Sequence, residues 1–344
     1  MKALVTGGSG FLGGHIVEEC VRAGDEVRVL VRSSSDLGHL RTVPGIEIVH
    51  GDLTDEASLR AAAKGVDVVY HSAARVLDHG SRSQFWAANV AATETLLRAA
   101  REGGAERFVF VSSPSAVMTG QDQYDIDESQ PYPDRYLNLY SETKAAAERA
   151  VLAADAPGFT TCAIRPRGVW GPRDWNGFMP RLMARMLSGR MPDLSGGRQV
   201  LTSLCYCTNA AQACLLAARS DQVGGRAFFV TDEEKTDVWA FMAEVAERFG
   251  LRPPTRRVPP LVRDALVEAI ELVWRVPYLA HRHSPPLSRY SAALLTRSTT
   301  YDISAARESL GYRPTIDRAT GLDLLQRWVD DIGGVAAFAR RWRA

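Results

Sequence analysis

Lys2-Ala3-Leu4-Val5-Thr6-Gly7-Gly8-Ser9-Gly10-Phe11-Leu12-Gly13 opens the chain, and its reading decides the fold. Ala3 to Val5 has the apolar continuity of a buried strand, and it runs straight into a glycine turn. Ile16 and Val17 follow at helical spacing, Gly24 stops that helix, and Val27 to Val31 reads as a second strand. Within the turn, Gly7 permits the tight strand-to-helix bend. Gly10 lets the backbone approach a pyrophosphate, and Gly13 lets the helix pack closely on the sheet. The amides at such a helix start bind phosphate oxygens with help from the helix dipole. Glycines alone are a weak signal. The strand–turn–helix context makes this a dinucleotide site.

The end of the second strand bears on which dinucleotide. An NAD-selective site usually carries an acid there, accepting hydrogen bonds from the ribose hydroxyls. Here that place falls on Val31, followed by Arg32, Ser33 and Ser34. A carboxylate repels a 2′-phosphate, whereas a guanidinium grips it bidentately. The expectation is NADP(H), with Arg32 and Ser33 at the phosphate and NAD(H) as the second cofactor to consider. Arg32 as a plain solvated loop charge is the alternative.

Strands and helices alternate through the first half. Ile46 to Val49 is a third strand leading to Gly51-Asp52-Leu53, Val66 to Tyr70 a fourth, and Phe85 to Glu102 a long helix. Arg107 to Ser112, a helix over Leu137 to Ala154, and a strand at Thr160 to Ile164 follow. This alternation calls for an α/β fold, a Rossmann-type doubly wound parallel sheet with a smaller, mainly helical substrate part. Residues 1–165, with parts of about 200–218, are assigned to the dinucleotide-binding domain. Residues 166–199 and 219–344 are assigned to the substrate part. Ligands of such sheets collect at the carboxyl ends of the strands. Gly13, Asp52, Ala73, Ser113 and Arg165 all stand at or just past strand ends, so one cleft is expected to gather them.

Tyr140 and Lys144 are four residues apart, hence on one face of a helix. A free tyrosine titrates near 10, and an adjacent ammonium favours its phenolate. A lysine so placed can also hold the nicotinamide ribose. Ser113, closing the strand before that helix, can hydrogen-bond a substrate oxygen as charge develops on it. These residue types suit hydride transfer to a carbonyl with Tyr140 protonating the oxygen. A tyrosine four before a lysine also recurs by chance; the glycine turn and Ser112-Ser113 set this pair apart.

The chain has 344 residues, a formal net charge of +1 and 46% hydrophobic residues. That balance, without any aromatic-basic stripe, argues against nucleic-acid binding. No apolar run reaches membrane-spanning length. A strand beginning at residue 2 is expected to leave no room for a signal peptide. Cys20, Cys162, Cys205, Cys207 and Cys214 are odd in number and match no zinc spacing, so they read as structural thiols of a cytoplasmic protein, with no metal. His281 and His283 form a close pair in a Pro-rich loop and read as solvated.

With these motifs in hand, the chain resembles the extended short-chain dehydrogenase/reductases, and within them the 3β-hydroxysteroid dehydrogenase-type branch. The matching pieces are Thr6 to Gly13, Gly51-Asp52-Leu53, His71-Ser72-Ala73-Ala74, Asn89-Val90 with Thr93, Ser112-Ser113, Tyr140 to Lys144, and Arg165-Pro166 through Pro172. The resemblance implies that Asp52 and Leu53 contact adenine. It places Phe11, Leu12, Ala73, Ala74 and Pro166 along the dinucleotide. It makes Ser113, Tyr140 and Lys144 catalytic, with Asn89 supporting them through the lysine. Dimerisation through two helices per subunit is common in the family, so a homodimer is one state to consider. Two departures stand out: the missing acid after the second strand, and Cys205-Tyr206-Cys207-Thr208-Asn209 where the family often shows Tyr-Ile-Asp-Asn.

The second half carries the substrate question. Trp170, Trp175, Phe178, Met179 and neighbours form an apolar concentration, and Val262, Leu266, Ile270, Val273 and Trp274 a helical stripe in a Pro-bracketed segment, 261–284. Ordinary core-facing helices are the plain reading; a lid or an interfacial helix with peripheral membrane contact is the other. Arg165-Pro166-Arg167, Trp170-Gly171-Pro172, Pro180-Arg181-Leu182 and the run Pro285 to Arg289 are similar to bacterial 2-alkyl-3-oxoalkanoate reductases. That resemblance implies reduction of the 3-keto group of a hydrophobic 2-alkyl-3-oxo acid. Trp170 would line the substrate and Arg167 or Arg173 would pair with its carboxylate; each arginine singly also reads as a solvent-facing charge. A 3β-hydroxysteroid dehydrogenase, a nucleotide-sugar epimerase or dehydratase, and a non-enzymatic dinucleotide sensor are the alternatives.

Overall fold

In the computed structural model, which describes residues 1–77, 79–189 and 191–341, the alternation becomes a single parallel sheet. Its strands are β1 (Lys2–Thr6), β2 (Glu26–Val31), β3 (Ile46–His50), β4 (Val68–His71), β5 (Arg107–Val111), β7 (Thr160–Pro166) and β11 (Arg226–Val230). They lie in the order β3-β2-β1-β4-β5-β7-β11, so the direction of winding reverses between β1 and β4. β11 falls in the stretch assigned on sequence to the substrate part. In the structure it pairs in register with β7, from Arg226 beside Cys162 to Val230 beside Pro166.

The helices are α1 (Phe11–Arg22), α2 (Glu56–Ala63), α3 (Arg82–Trp86), α4 (Ala92–Glu102), α5 (Leu139–Ala153), α6 (Phe178–Leu187), α7 (Cys207–Arg219), α8 (Val238–Arg248), α9 (Pro260–Val273), α10 (Pro277–Arg282), α11 (Arg289–Thr296), α12 (Ser304–Leu310), α13 (Arg318–Asp331) and α14 (Val335–Arg341). Alternation along β1 sorts them. Ala3 and Val5 face a core shared with Ile16, Val17 and Cys20 of α1 and the alanines of α7. Leu4 faces the opposite core, with α2, α4 and α5. All five cysteines are free and buried.

A second sheet was not legible in the sequence. β6 (Gln123–Ile126), β9 (Leu201–Ser203), β12 (Lys235–Asp237) and β13 (Thr299–Tyr301) assemble in the order β12-β9-β13-β6. β8 (Val169–Trp170) and β10 (Cys205–Tyr206) form a short parallel pair. Together with α6, α8, α13 and α14 these enclose a third core around Trp170, Met183 and Leu325.

One buried ion pair fixes α5 against the sheet. Arg165 on β7 donates to both carboxylate oxygens of Glu148 on α5, Nε at 2.9 Å and Nη2 at 2.6 Å, and the Tyr132 hydroxyl adds a third bond at 2.6 Å. Both charged side chains are buried, and the guanidinium also lies 5.0 Å from the Phe229 ring centre. Removing one partner leaves an uncompensated charge in a dry interior, a loss of about 3–5 kcal/mol. Arg165→Met is therefore expected to lower the unfolding free energy by that amount in chemical denaturation; a change under about 1 kcal/mol would mean the pair does not hold the helix.

Candidate active site

The glycine turn is built as tightly as its composition suggested. Gly7 has φ +75°, and a Cβ there would stand 2.7 Å from the Ala73 amide nitrogen. A Cβ on Gly13 would stand 2.1 Å from the Gly7 carbonyl oxygen. Gly10 caps α1 without any side-chain acceptor for the first-turn amides. A cradle that side chains would fill, lined by uncapped amides at the switch point between β1 and β4, fits a dinucleotide phosphate. Phe11 and Leu12 start α1 and are half-buried, Phe11 packing edge-on against His15.

Across the sheet edge, Arg32 follows β2 directly and is exposed, with Ser33 beside it. Asp52, past β3, accepts from the Thr54 amide at 2.8 Å and hydroxyl at 2.7 Å. These bonds, with help from the Arg32 guanidinium, hold its carboxyl below the usual carboxylate range. Leu53 packs on the α2 side of the sheet. Pro166 is buried at the end of β7.

Asn138 sets the position of the tyrosine. Its side chain accepts from the Ser141 amide at 2.8 Å, so α5 begins at Leu139 and Tyr140 sits in its first turn. Burial raises the Tyr140 phenol, and a hydrogen bond with the Ser113 hydroxyl opposes that shift. Ser113 stands just past β5 in extended backbone and also accepts from the Ser115 amide at 3.2 Å. One turn along α5, Lys144 is 3% exposed. Its Nζ donates to the Val111 carbonyl at 2.6 Å and lies 4.3 Å from the Phe110 ring centre. Burial pulls its pKa down to about 7, against the upward pull of Glu148.

Asn89 lies in a π-helical turn, Ala87–Ala91, inserted between α3 and α4 where the sequence predicts an uninterrupted helix. Its side chain accepts from the Arg75 amide at 2.7 Å and donates to the Arg75 carbonyl at 3.1 Å and the Thr143 hydroxyl at 3.0 Å. The partner on α5 is thus Thr143, beside Lys144, while the lysine itself is held by Val111.

Sequence reasoning gave no role to His71, and the structure places it at the centre of this network. Thr93 donates to the Asn89 carbonyl at 2.7 Å, so His71 Nε2–H must donate to Thr93 Oγ1 at 2.9 Å. Nδ1 then accepts from the Thr6 hydroxyl at 2.7 Å, and Thr6 Oγ1 receives the Ala73 amide at 3.5 Å. Burial first, and the Lys144 charge second, push the imidazole down to about 3, so it stays neutral. The chain of bonds links β1, the Ala73-Ala74 loop and the π-turn. Only the motif His71-Ser72-Ala73-Ala74 hinted at it.

The substrate-side expectations meet a different arrangement. Trp170 is 0% exposed and packs edge-on against Tyr206 and Phe241, so it belongs to the third core instead of a substrate wall. Arg173 is committed elsewhere: Nη1 and Nη2 bind the two Glu18 oxygens at 3.0 and 2.6 Å, and Nη2 reaches His15 Nδ1 at 2.8 Å. Burial alone would raise Glu18, but His15, His39 and Arg173 hold it far below its ordinary value. Arg167 donates through Nη2 to the Thr299 hydroxyl at 3.2 Å, and no carboxylate pairs with it among the described residues. Asn209 in the altered segment is structural, joining Asp232 at 2.7 Å to the Ile316 carbonyl at 2.8 Å.

Residues 4–261 match the 3-beta hydroxysteroid dehydrogenase/isomerase family. The chain is 35% identical to a 4-hydroxy-2-methyl-3-oxo-4-farnesyl-3,4-dihydroquinoline-1-oxide ketoreductase of Stigmatella aurantiaca, over 95% of this chain and 96% of that one. It is 36% identical to a 3 beta-hydroxysteroid dehydrogenase/Delta 5-->4-isomerase of Mycobacterium tuberculosis, covering 91% and 86%. To a 2-alkyl-3-oxoalkanoate reductase of Shewanella oneidensis the identity is 32%, covering 94% and 85%. Among solved structures, MoeE5 with UDP-glucose and NAD superposes at TM-score 0.73 and 26% identity, covering 96% and 99%.

The site itself makes a test available in solution. Lys144 titrates near 7 when folded and near 10.5 when unfolded, so between those values the unfolded chain binds the extra proton. Unfolding free energy should therefore rise with pH across that window, by up to about 1.4 kcal/mol per unit, relative to a Lys144→Met variant. Wild-type and variant stability curves that run parallel from pH 7 to 10.5 would show that the ammonium is not desolvated. Family match, relatives and sheet agree: the chain belongs to the 3-beta hydroxysteroid dehydrogenase/isomerase family, as a reductase-type NAD(P)-dependent oxidoreductase.

Proposed function

We propose that this protein is an NADPH-dependent ketoreductase that converts the 3-keto group of a hydrophobic, long-chain 2-alkyl-3-oxo acid to the 3-hydroxy acid. The observation that carries the reading is Tyr140 in the first turn of α5, near enough to Ser113 past β5 for that hydroxyl to act on its phenol, with buried Lys144 one helical turn away. The nicotinamide, when bound, supplies the hydride. The chain's residues do the rest. Tyr140 gives its hydroxyl proton to the substrate oxygen as the carbonyl becomes an alcohol. Ser113 donates to that oxygen while negative charge develops there. Lys144 binds the ribose hydroxyls and, when protonated, favours the Tyr140 phenolate. Asn89 acts through Thr143 and the Arg75 loop to keep α5 in place.

Gly7, Gly10 and Gly13, with Phe11 and Leu12, are proposed to carry the pyrophosphate. Asp52 and Leu53 are assigned to the adenine, and Ala73, Ala74 and Pro166 to the remainder of the dinucleotide. Arg32 and Ser33 are assigned to the 2′-phosphate, supported by the exposed guanidinium directly after Val31, which stands where the usual acid would. Arg167 is the residue proposed for the substrate carboxylate, because Arg173 is already neutralised by Glu18. The free, buried cysteines support a reducing, cytoplasmic setting.

The oxoalkanoate-reductase relative supports the acyl-substrate reading, and the ketoreductase relative, named for a farnesylated dihydroquinoline oxide, supports reduction of a ketone on a hydrophobic substrate. A second reading, oxidation of a 3β-hydroxysteroid, is favoured by the 36% identity to the mycobacterial enzyme. Turnover in the oxidative direction separates them, since free β-keto acids decarboxylate. A long-chain 2-alkyl-3-hydroxy acid should reduce NADP⁺ faster than NAD⁺, and Arg167→Met should raise KM for that acid about tenfold or more, the worth of one charge-assisted hydrogen bond. Turnover of the steroid alone would move the protein to the second reading.

A further inference from the structure

Arg173 is held in a backbone conformation that its side chain disfavours. Its φ is +69°, in the left-handed region. Among the described residues that region is left to glycine except at Arg173 and Asp125, and aspartate tolerates it better than a long side chain does. Such a conformation persists only where the surroundings over-determine it. Here they do so through α1, the helix that starts at the glycine turn.

Glu18, in the second turn of α1, receives both terminal nitrogens of Arg173, at 3.0 and 2.6 Å. Two parallel bonds to a carboxylate fix the direction of a guanidinium as well as its position. His15 closes the clasp from the same helix. The Pro172 carbonyl can only accept, so His15 Nε2–H donates to it at 3.1 Å, and burial keeps the ring neutral. Nδ1 then accepts from Arg173 Nη2 at 2.8 Å. Pro172 and Arg173 are thus both fastened to the helix of the glycine turn.

Glu18 is shared with a third segment. His39 Nε2 stands 3.2 Å from Glu18 Oε1, and a Cβ on Gly14 would meet the His39 ring at 3.5 Å. His39 belongs to the β2–β3 loop that begins with Arg32 and Ser33. On the other side, the clasped loop leads into α6. The Asp174 side chain accepts from the Gly177 amide at 2.6 Å, and Trp175 and Phe178 join Phe11 of the glycine turn in packing on the third core. One carboxylate therefore joins the glycine-turn helix, the loop after β2 and the loop before α6.

We propose that Glu18, His15 and Arg173 are positioning residues that couple the nucleotide to the loop 171–177. A nucleotide seated on the glycine turn and the β2–β3 loop fixes Glu18, Glu18 fixes Arg173, and the loop is held in place ahead of α6. None of the three needs to touch the nucleotide. Coupling of this kind is reciprocal, so the clasped loop strengthens nucleotide binding by the same factor. The inference rests on the nicotinamide-dinucleotide reading of the glycine turn and does not depend on which ketone or alcohol is turned over.

Amide hydrogen exchange of the full chain, with and without saturating NADP⁺ (or NAD⁺ if it binds more tightly), tests the coupling alongside calorimetric titration of the same nucleotide. In the wild type the nucleotide should slow exchange across 171–177 about fivefold or more. Glu18→Gln keeps the shape and removes the charge; it should abolish that slowing and weaken nucleotide binding about fivefold. Arg173→Gly, which relieves the backbone while removing the guanidinium, should do the same. The double variant should bind no more weakly than either single one, because each breaks the same link. Exchange in β4 and β5, expected to match wild type throughout, separates loss of the link from misfolding.

A role confined to stability would lower resistance to denaturant and leave both the nucleotide affinity and the loop response unchanged, and that result overturns the proposal. Slowing at 171–177 that survives Glu18→Gln would overturn it too, since the nucleotide would then reach the loop by direct contact. Losses that multiply in the double variant would show two independent effects and count equally against it. A wild type that binds neither NADP⁺ nor NAD⁺ would overturn the cofactor reading together with the clasp. Nucleotide binding without the loop response defeats the clasp alone.

Discussion

A lysine ammonium buried beneath a parallel sheet is the constraint around which the rest of the site is arranged. Desolvating Lys144 is costly, and its compensation is local: one carbonyl at the end of β5, the face of Phe110 and the negative charge of Glu148 one turn further along α5. Glu148 in turn needs Arg165, and Arg165 is fixed on β7 with Tyr132 and Phe229 around it. The helix bearing Tyr140 is therefore pinned to two adjacent strands, to β5 by the Lys144–Val111 bond and to β7 by the Glu148–Arg165 ion pair. Such pinning keeps the Tyr140 side chain in place without relying on loop rigidity.

A neutral network does the corresponding work beside the glycine turn. Because Thr93 must donate to Asn89, the direction of each bond through His71 to Thr6 and Ala73 is determined, and the imidazole serves as a relay of position instead of charge. The π-turn at Ala87–Ala91 is what brings the Asn89 side chain to Arg75 and Thr143 at once. An α-helical register there would turn the residue away from one of them.

Much of this was legible in the sequence, where the signal is local. The glycine turn, the alternation of strands and helices and the Tyr140–Lys144 spacing depend on neighbours within a few residues, and the structure forms the elements they imply. What escaped depends on distant partners. Strands of three or four residues at 123, 201, 235 and 299 have too little periodicity to announce a sheet assembled across 175 positions. The pairing of Arg173 with Glu18 joins residues 155 apart, so an arginine in an apolar approach looked available when it is engaged. Trp170 lay in a run that would suit a pocket or a core equally, and only the arrival of Tyr206 and Phe241 decides for the core.

In the proposed reaction Tyr140 delivers the proton while other residues hold the cofactor. Replacing Tyr140 with phenylalanine removes one oxygen from the first turn of α5 and leaves Lys144 in its pocket. Steady-state turnover and NADP(H) affinity measured on the same preparation test this directly. kcat is expected to fall by about 10²-fold or more, the worth of a positioned general acid, with cofactor Kd within a few-fold of wild type. Turnover retained within tenfold of wild type, with the cofactor bound normally, would contradict it.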